Sequence, residues 1–323
     1  LYSINKIDRL HSVKCLTFSP DGKFIATGHW DGTVTLWDVM TGHSRGEYKK
    51  HAGPLEEIVF APDCGTLASG GSDWTARLWN VPSMQERSVL RSSSQFITSL
   101  AFSPDSRALY SADFHGIDQG IRRWDVISGK EQAAVIRTDA PSGVRNMALS
   151  PNGKILAYTS DDNNGTIQLR DVTSGAKLRI HENKEFGSIT GITDICFTTD
   201  GRYVVTYGGN SPEQRMLRVW DAFSFEALRN LGQPGEVNNL ASFAISADGS
   251  TLVTADLTKE TTTSRNLRLW DLASGKCLGR NRGTSGIHTC VALSPNGKIL
   301  AMNNLFDKEV LKIVTVKEFF LVQ

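Results

Sequence analysis

The stretch "LASGGSDWTARLWN", residues 67–80, holds Ser69, Asp73 and Trp79, with His51 upstream. Serine, histidine and aspartate are the residue types of an acyl-transfer nucleophile, in which the imidazole takes the hydroxyl proton and the carboxylate orients the imidazole. That chemistry needs an exposed serine facing a site for an oxyanion. The same offsets recur in "IATGHWDGTVTLWD", residues 25–38, as Thr27, Asp31 and Trp37, and a longer third copy holds Ser111, Asp118 and Trp124. Catalysis gains nothing from duplication. The pattern points instead to one unit of a structure built by copying.

Seven copies span the chain. Their endings are "TLWD" at Trp37, "RLWN" at Trp79, "RRWD" at Trp124, "QLRD" at Arg170, "RVWD" at Trp220, "RLWD" at Trp270 and a worn "KIVT" at Val314. Successive spacings of 42, 45, 46, 50, 50 and 44 residues fit the period of a propeller blade and exceed those of the common helical repeats. Each copy also carries an earlier marker such as "FSPDGK" after Phe18 or "LSPNGK" after Leu149. Within a copy, short alternating apolar runs are separated by Pro, Asp, Asn and Gly, which predicts antiparallel strands joined by tight turns. One copy reads as strand a, an "SPDGK" turn, strand b, a second turn, strand c ending in Trp, a "TG" turn, and strand d. Pro pre-sets φ in such turns and Gly or Asn accepts positive φ.

With two markers in each of seven ordered copies, the chain resembles the WD40-repeat family over nearly its whole length. The fold that this implies is all-β: a seven-bladed propeller with four antiparallel strands per blade. The predicted organisation is one propeller domain over 1–323, with blades at about 10–48, 49–91, 92–137, 138–182, 183–231, 232–281 and 282–323. The resemblance also implies a buried, hydrogen-bonded tetrad of His, Ser or Thr, Asp and Trp in each blade, with a structural role. The second blade holds the whole set as His51, Ser69, Asp73 and Trp79. The first retains Thr27, Asp31 and Trp37 with Arg9 at the His position, and the third retains Ser111, Asp118 and Trp124 with Ser93 there. In the fourth, Tyr158, Asn164 and Arg170 stand at the Ser, Asp and Trp positions. Gln214, Ser264 and Lys308 replace the Asp in the last three, so four blades are expected to lean more on apolar packing.

Closing the ring requires a fourth strand for the last blade. Residues 2–8, "YSINKID", occupy that slot by offset, while 317–323, "KEFFLVQ", compete for it. The offset favours the N-terminal segment.

Length variation gathers in the b–c interval, which grows from 10 residues (27–37, 69–79) to 13, 14 and 16 in the third, fifth and sixth copies. In the propeller the b–c and d–a loops share one face, the top, where recognition loops on a rigid scaffold are expected. Two tryptophans outside the strand c slot, Trp30 and Trp74, flank Asp31 and Asp73 in those turns. They are either exposed anchors of the kind that dominate binding hot spots or rings lying flat on the rim. Phe114 and His115 in the third b–c loop and Arg215 in the fifth complete the candidate partner-binding set.

Composition limits the alternatives. Thirty-five Lys and Arg oppose 34 Asp and Glu, which gives no global attraction to nucleic acid or an anionic membrane. Five scattered cysteines form no C-x-x-C pair, and no H-E-x-x-H, G-x-S-x-G or phosphate-loop motif is present, so no metal, cofactor or catalytic residue is expected. No apolar run is long enough for a membrane helix, and "LYSINKIDRL" lacks a signal-peptide core, which makes a cytoplasmic setting the default. The chain starts without Met, as a domain of a longer protein would. The expected function is a non-enzymatic, monomeric interaction scaffold or sensor module that binds a protein partner, or other domains of a longer chain, through the top face. One alternative is a ligand or metal site in the central channel supporting catalysis. Another is nucleic-acid association, for which Arg215, Arg218, Arg265 and Arg268 are the support.

Overall fold

The computed structural model describes residues 2–5, 13–91, 96–113, 120–138, 143–160, 167–178, 192–209, 214–233, 236–257, 264–285, 290–303 and 309–321. They form seven four-stranded antiparallel sheets. Six of these run a-b-c-d in chain order; the first is Val13–Phe18, Phe24–His29, Thr33–Asp38 and Ser44–Lys49. The seventh takes its outer strand from the other end of the sequence. Tyr2–Asn5 pairs antiparallel with Glu309–Thr315, matching Tyr2 to Ile313 and Ile4 to Leu311. The competing segment is not a strand: Val316–Leu321 is a short helix packed on strand d of blade 6, where the Asn281 side-chain amide donates to the Phe319 carbonyl at 3.1 Å.

The a–b turns show why the "SPDGK" marker repeats. In blade 1 the Ser19 hydroxyl donates to Asp21 Oδ1 at 2.6 Å and accepts from the Phe24 N–H at 2.9 Å, while Gly22 takes φ 70°. Side chain and backbone therefore close the turn together, as expected where Ser and Asp compete with regular structure.

Apolar burial is divided among seven wedges, and each wedge lies between two blades. Ile25 and Trp37 of blade 1 pack with Ala301, Leu311 and Ile313 of blade 7, whereas Ala26, Val34 and Leu36 pack with Ile58, Leu67 and Trp79 of blade 2. Alternation along each strand sends successive side chains into opposite wedges. At the closing seam the buried Asn303 amide accepts from the Cys290 N–H at 3.0 Å and donates to the Val13 carbonyl at 2.8 Å.

The innermost strands, Val13–Phe18, Leu55–Phe60, Ile97–Phe102, Val144–Leu149, Ile192–Phe197, Asn238–Ile245 and Val291–Leu293, surround the central channel. In blades 1 and 2 the b–c turns and the d–a connection between the two sheets lie at one end of the strands, the top face. No described helix is long and apolar enough to cross a membrane.

Candidate partner-binding face

The polar set of blade 2 is sealed inside the sheet. His51 Nε2 lies 2.8 Å from Ser69 Oγ and Nδ1 lies 3.0 Å from Asp73 Oδ1, while the Trp79 indole N–H donates to Ser69 Oγ at 2.9 Å. The Ala52 N–H and the Thr75 hydroxyl donate to the same carboxylate at 3.0 and 2.8 Å. Burial opposes ionisation of Asp73, yet the His51 hydrogen bond and charge, with the Ala52 and Thr75 donors, hold its carboxyl well below the usual range. Ser69 is fully buried. A hydroxyl closed off from solvent and occupied by an imidazole and an indole does not meet a substrate carbonyl.

The indole-to-hydroxyl bond recurs as Trp37 to Thr27 at 2.9 Å, Trp124 to Ser111 at 2.8 Å, Trp220 to Thr206 at 2.8 Å and Trp270 to Thr254 at 3.1 Å. Blades 5 and 6 thus keep more of the polar network than their lost aspartates suggest. In blade 1 an imidazole does reach the hydroxyl, but from strand b: His29 Nε2 is 3.0 Å from Thr27 Oγ1 and 3.2 Å from Thr35 Oγ1. Sequence reading missed it by looking only ahead of strand a. Its signal was the two-residue offset from Thr27, which puts both side chains on one face. Asp31 caps its own turn, accepting from the Thr33 N–H at 3.1 Å and the Thr33 hydroxyl at 3.0 Å. In blade 4, Tyr158 and Arg170 are both buried in the slots of the hydroxyl and the indole. Arg9, Ser93, Asp118, Asn164 and Lys308 lie outside the described residues.

Trp30 and Trp74 are 50% and 51% exposed. They stand on the b–c turns of adjacent blades, and a chain of contacts joins those turns. The Lys14 ammonium sits 4.5 Å from the Trp30 ring centroid and 2.6 Å from Glu56 Oε2. Glu56 Oε1 accepts from the Ser72 hydroxyl at 2.7 Å, and Ser72 precedes Asp73 and Trp74. The order Trp30, Lys14, Glu56, Ser72, Trp74 runs across the blade 1–2 boundary. Cation–π contact and the ion pair restrict the rotamers of Lys14 and Trp30 together.

A sequence model described as "WD domain, G-beta repeat" matches residues 5–38, 42–80 and 84–125, three consecutive copies out of the seven equivalent sheets. Those three copies are WD40 repeats. The chain is 27% identical to Autophagy-related protein 16 of Arabidopsis thaliana over 61% of its own length and 36% of the relative. It is 27% identical to the Target of rapamycin complex subunit wat1 of Schizosaccharomyces pombe, over 50% of the chain and 45% of the relative. To a guanine nucleotide-binding protein subunit beta of Arabidopsis thaliana it is 28% identical, over 47% and 38%. The chain spans less than half the length of each of these relatives. A chain of Kuenenia stuttgartiensis hydrazine synthase superposes with a TM-score of 0.78 at 18% identity, covering 96% of this chain and 97% of that one. This likeness shows the propeller fold and nothing of the chemistry.

The propeller scaffold places the remaining candidates differently. Phe114 and His115 lie outside the described residues. Arg215 is only half-buried, but its charge acts on the Tyr207 phenol. Arg218 and Arg268 are buried, and Arg268 lies 3.4 Å from the buried Asp256 carboxylate. They therefore do not form the surface stripe that nucleic-acid binding requires.

The innermost strands carry a polar band that no single copy of the repeat reveals. Equivalent positions on six innermost strands, and just ahead of the seventh, hold Cys15, Glu57, Ser99, Asn146, Asp194, Ser242 and Cys290. Several of these side chains strap one blade to the next: the Leu100 N–H donates to the Glu57 carboxylate, the Met147 N–H to Ser99 Oγ at 3.2 Å and the Val291 N–H to Ser242 Oγ at 3.3 Å. Burial pushes the Glu57 carboxyl up to about 7, with the Asp194 charge adding to the rise and the Leu100 and Ser99 donors opposing it. Burial likewise raises Asp194, against the Thr193 and Asn146 hydrogen bonds and the Arg145 charge. The Cys196 thiol is pushed up to about 12 by burial and by the charges of Glu57 and Asp194. Among the described residues no group of three or more His, Cys, Asp and Glu side chains could hold a metal ion.

Proposed function

We propose that this propeller is a non-enzymatic docking module for a protein partner, which seats on the top face of blades 1 and 2 with Trp30 and Trp74 as its anchors. The observation that carries the reading is the backbone at Trp74. Its φ is 65°, in the turn position that blade 1 fills with Gly32 at φ 85°. A left-handed conformation disfavours any side chain by roughly 1–2 kcal/mol, and a bulky one is a true outlier. Holding an indole there, half in solvent, is a departure from local preference of the kind that gathers at functional sites. Two relatives whose names describe them as subunits of larger assemblies support a docking role.

The test is affinity capture with the wild type beside a Trp30→Ala, Trp74→Ala variant, with thermal melts of both. A partner captured by the wild type and lost from an equally stable variant supports the reading. Retention of the partner, or a large fall in melting temperature that marks the indoles as rim packing, overturns it.

A further inference from the structure

We infer that the segment docked on blades 1 and 2 is an acidic peptide, with an apolar anchor flanked by carboxylates; this rests on the docking reading above. The inference comes from what the patch leaves unmatched. Its own carboxylates are all engaged within the protein: Glu56 by Lys14 and Ser72, Asp31 by Lys49 at 3.4 Å, and Asp73 by His51, Ala52 and Thr75. The cations outnumber them. At the top of strand d in blade 1, Lys49 pairs in register with Thr33 of the Trp30 turn, and Lys50 follows it. In blade 2, Arg91 pairs with Thr75, the residue next to Trp74. An equivalent basic position therefore stands opposite the b–c turn in both blades. Lys50 and Arg91 are exposed, and neither has a carboxylate partner among the described residues.

What remains to meet a ligand is thus two indole surfaces and two unmatched positive charges beside them. Complementarity assigns apolar groups to the indoles and carboxylates to the cations, with the charges setting orientation and partner choice more than raw affinity. Single-stranded nucleic acid also stacks on aromatic rings beside cations. It is disfavoured because its affinity comes from many phosphate contacts, whereas the exposed cations left unmatched on this patch are Lys50 and Arg91.

A random peptide library displayed on phage, selected against the full chain at low ionic strength, tests the inference. The selected peptides should carry Asp or Glu on both sides of an aromatic or aliphatic residue. A synthetic peptide of that consensus should bind about ten-fold tighter than the same peptide with Lys in place of the acids. The Lys50→Glu, Arg91→Glu variant should reverse this preference with its melting temperature unchanged. Neutral or basic consensus peptides, an unaltered preference in the charge-reversal variant, tighter binding of oligouridine RNA, or no selection at all would each overturn it. If the acidic preference fails while Trp30→Ala, Trp74→Ala still weakens the selected peptides, only the charge inference falls. If that variant binds every selected peptide as the wild type does, the docking reading falls with it.

Discussion

Trp74 stands in blade 2 where Gly32 stands in blade 1, and both residues take positive φ. At Gly32 a Cβ would come within 2.3 Å of the His51 carbonyl oxygen, so blade 1 has no choice of residue. Blade 2 accepts a side chain at that site at the expense of backbone strain. Trp74→Gly is therefore expected to melt at or above the wild type, and above Trp74→Ala, which keeps the strain and loses the ring. Scanning calorimetry of the three proteins checks the order; a Trp74→Gly protein several degrees less stable than the wild type would show that the indole contributes packing.

Asp73 sets an acid limit. Its folded-state carboxyl lies below its ordinary value of 3.8, so its contribution to stability is complete above about pH 4 and is lost as pH falls. Asp73→Asn should weaken the domain by about 1–3 kcal/mol at neutral pH, by leaving His51 and the Ala52 N–H poorly matched. It should also flatten the decline on acidification. Urea denaturation between neutral pH and pH 3 measures both.

Glu57 works in the opposite direction. Its carboxyl is raised from 4.5 to about 7, so the folded state holds a proton that the unfolded chain releases, and stability falls as pH rises between those values. Glu57→Gln keeps an acceptor for the Leu100 N–H and removes the titration. The variant should gain on the wild type at pH 8 and lose that advantage at pH 4. Parallel thermal melts at the two pH values decide the matter, and equal differences at both would contradict the assignment.

Asn303 joins the first and last blades through two backbone groups. Asn303→Ala leaves a buried N–H and a buried carbonyl without this partner, which should destabilise the protein by roughly 2 kcal/mol or more. Asn303→Asp should be worse still, because it places a carboxylate against the Val13 carbonyl. Equilibrium denaturation gives the magnitudes.

The blade architecture was legible because two signals repeat at fixed offsets: Pro-Asp-Gly turns that need particular backbone conformations, and indoles whose N–H groups find a hydroxyl across the sheet. Trp30 and Trp74 were legible as misfits, being large rings in turns that usually hold small residues. The network around them was not. Lys14 and Glu56 are far apart in sequence, and their contact depends on how closely two innermost strands approach. His29 escaped because the imidazole was sought at one place in the repeat, and the same side-chain chemistry reached the hydroxyl from another strand. Glu57 and Asp194 escaped for a different reason. Each is a single polar residue within an alternating strand, and only superposing the copies reveals the band they form with Ser99, Asn146 and Ser242.

The outer strand of blade 7 comes from residues 2–5, whose partner in the sheet, residues 309–315, is synthesised much later. On the ribosome this earlier segment must wait until the later one emerges, so a strand made before its sheet partners is seated after them. Until then the nascent wheel keeps a vacant berth along one spoke. Slow translation or stalling in the final repeat would prolong that interval, during which a chaperone, or a strand borrowed from another nascent chain, can compete for the place.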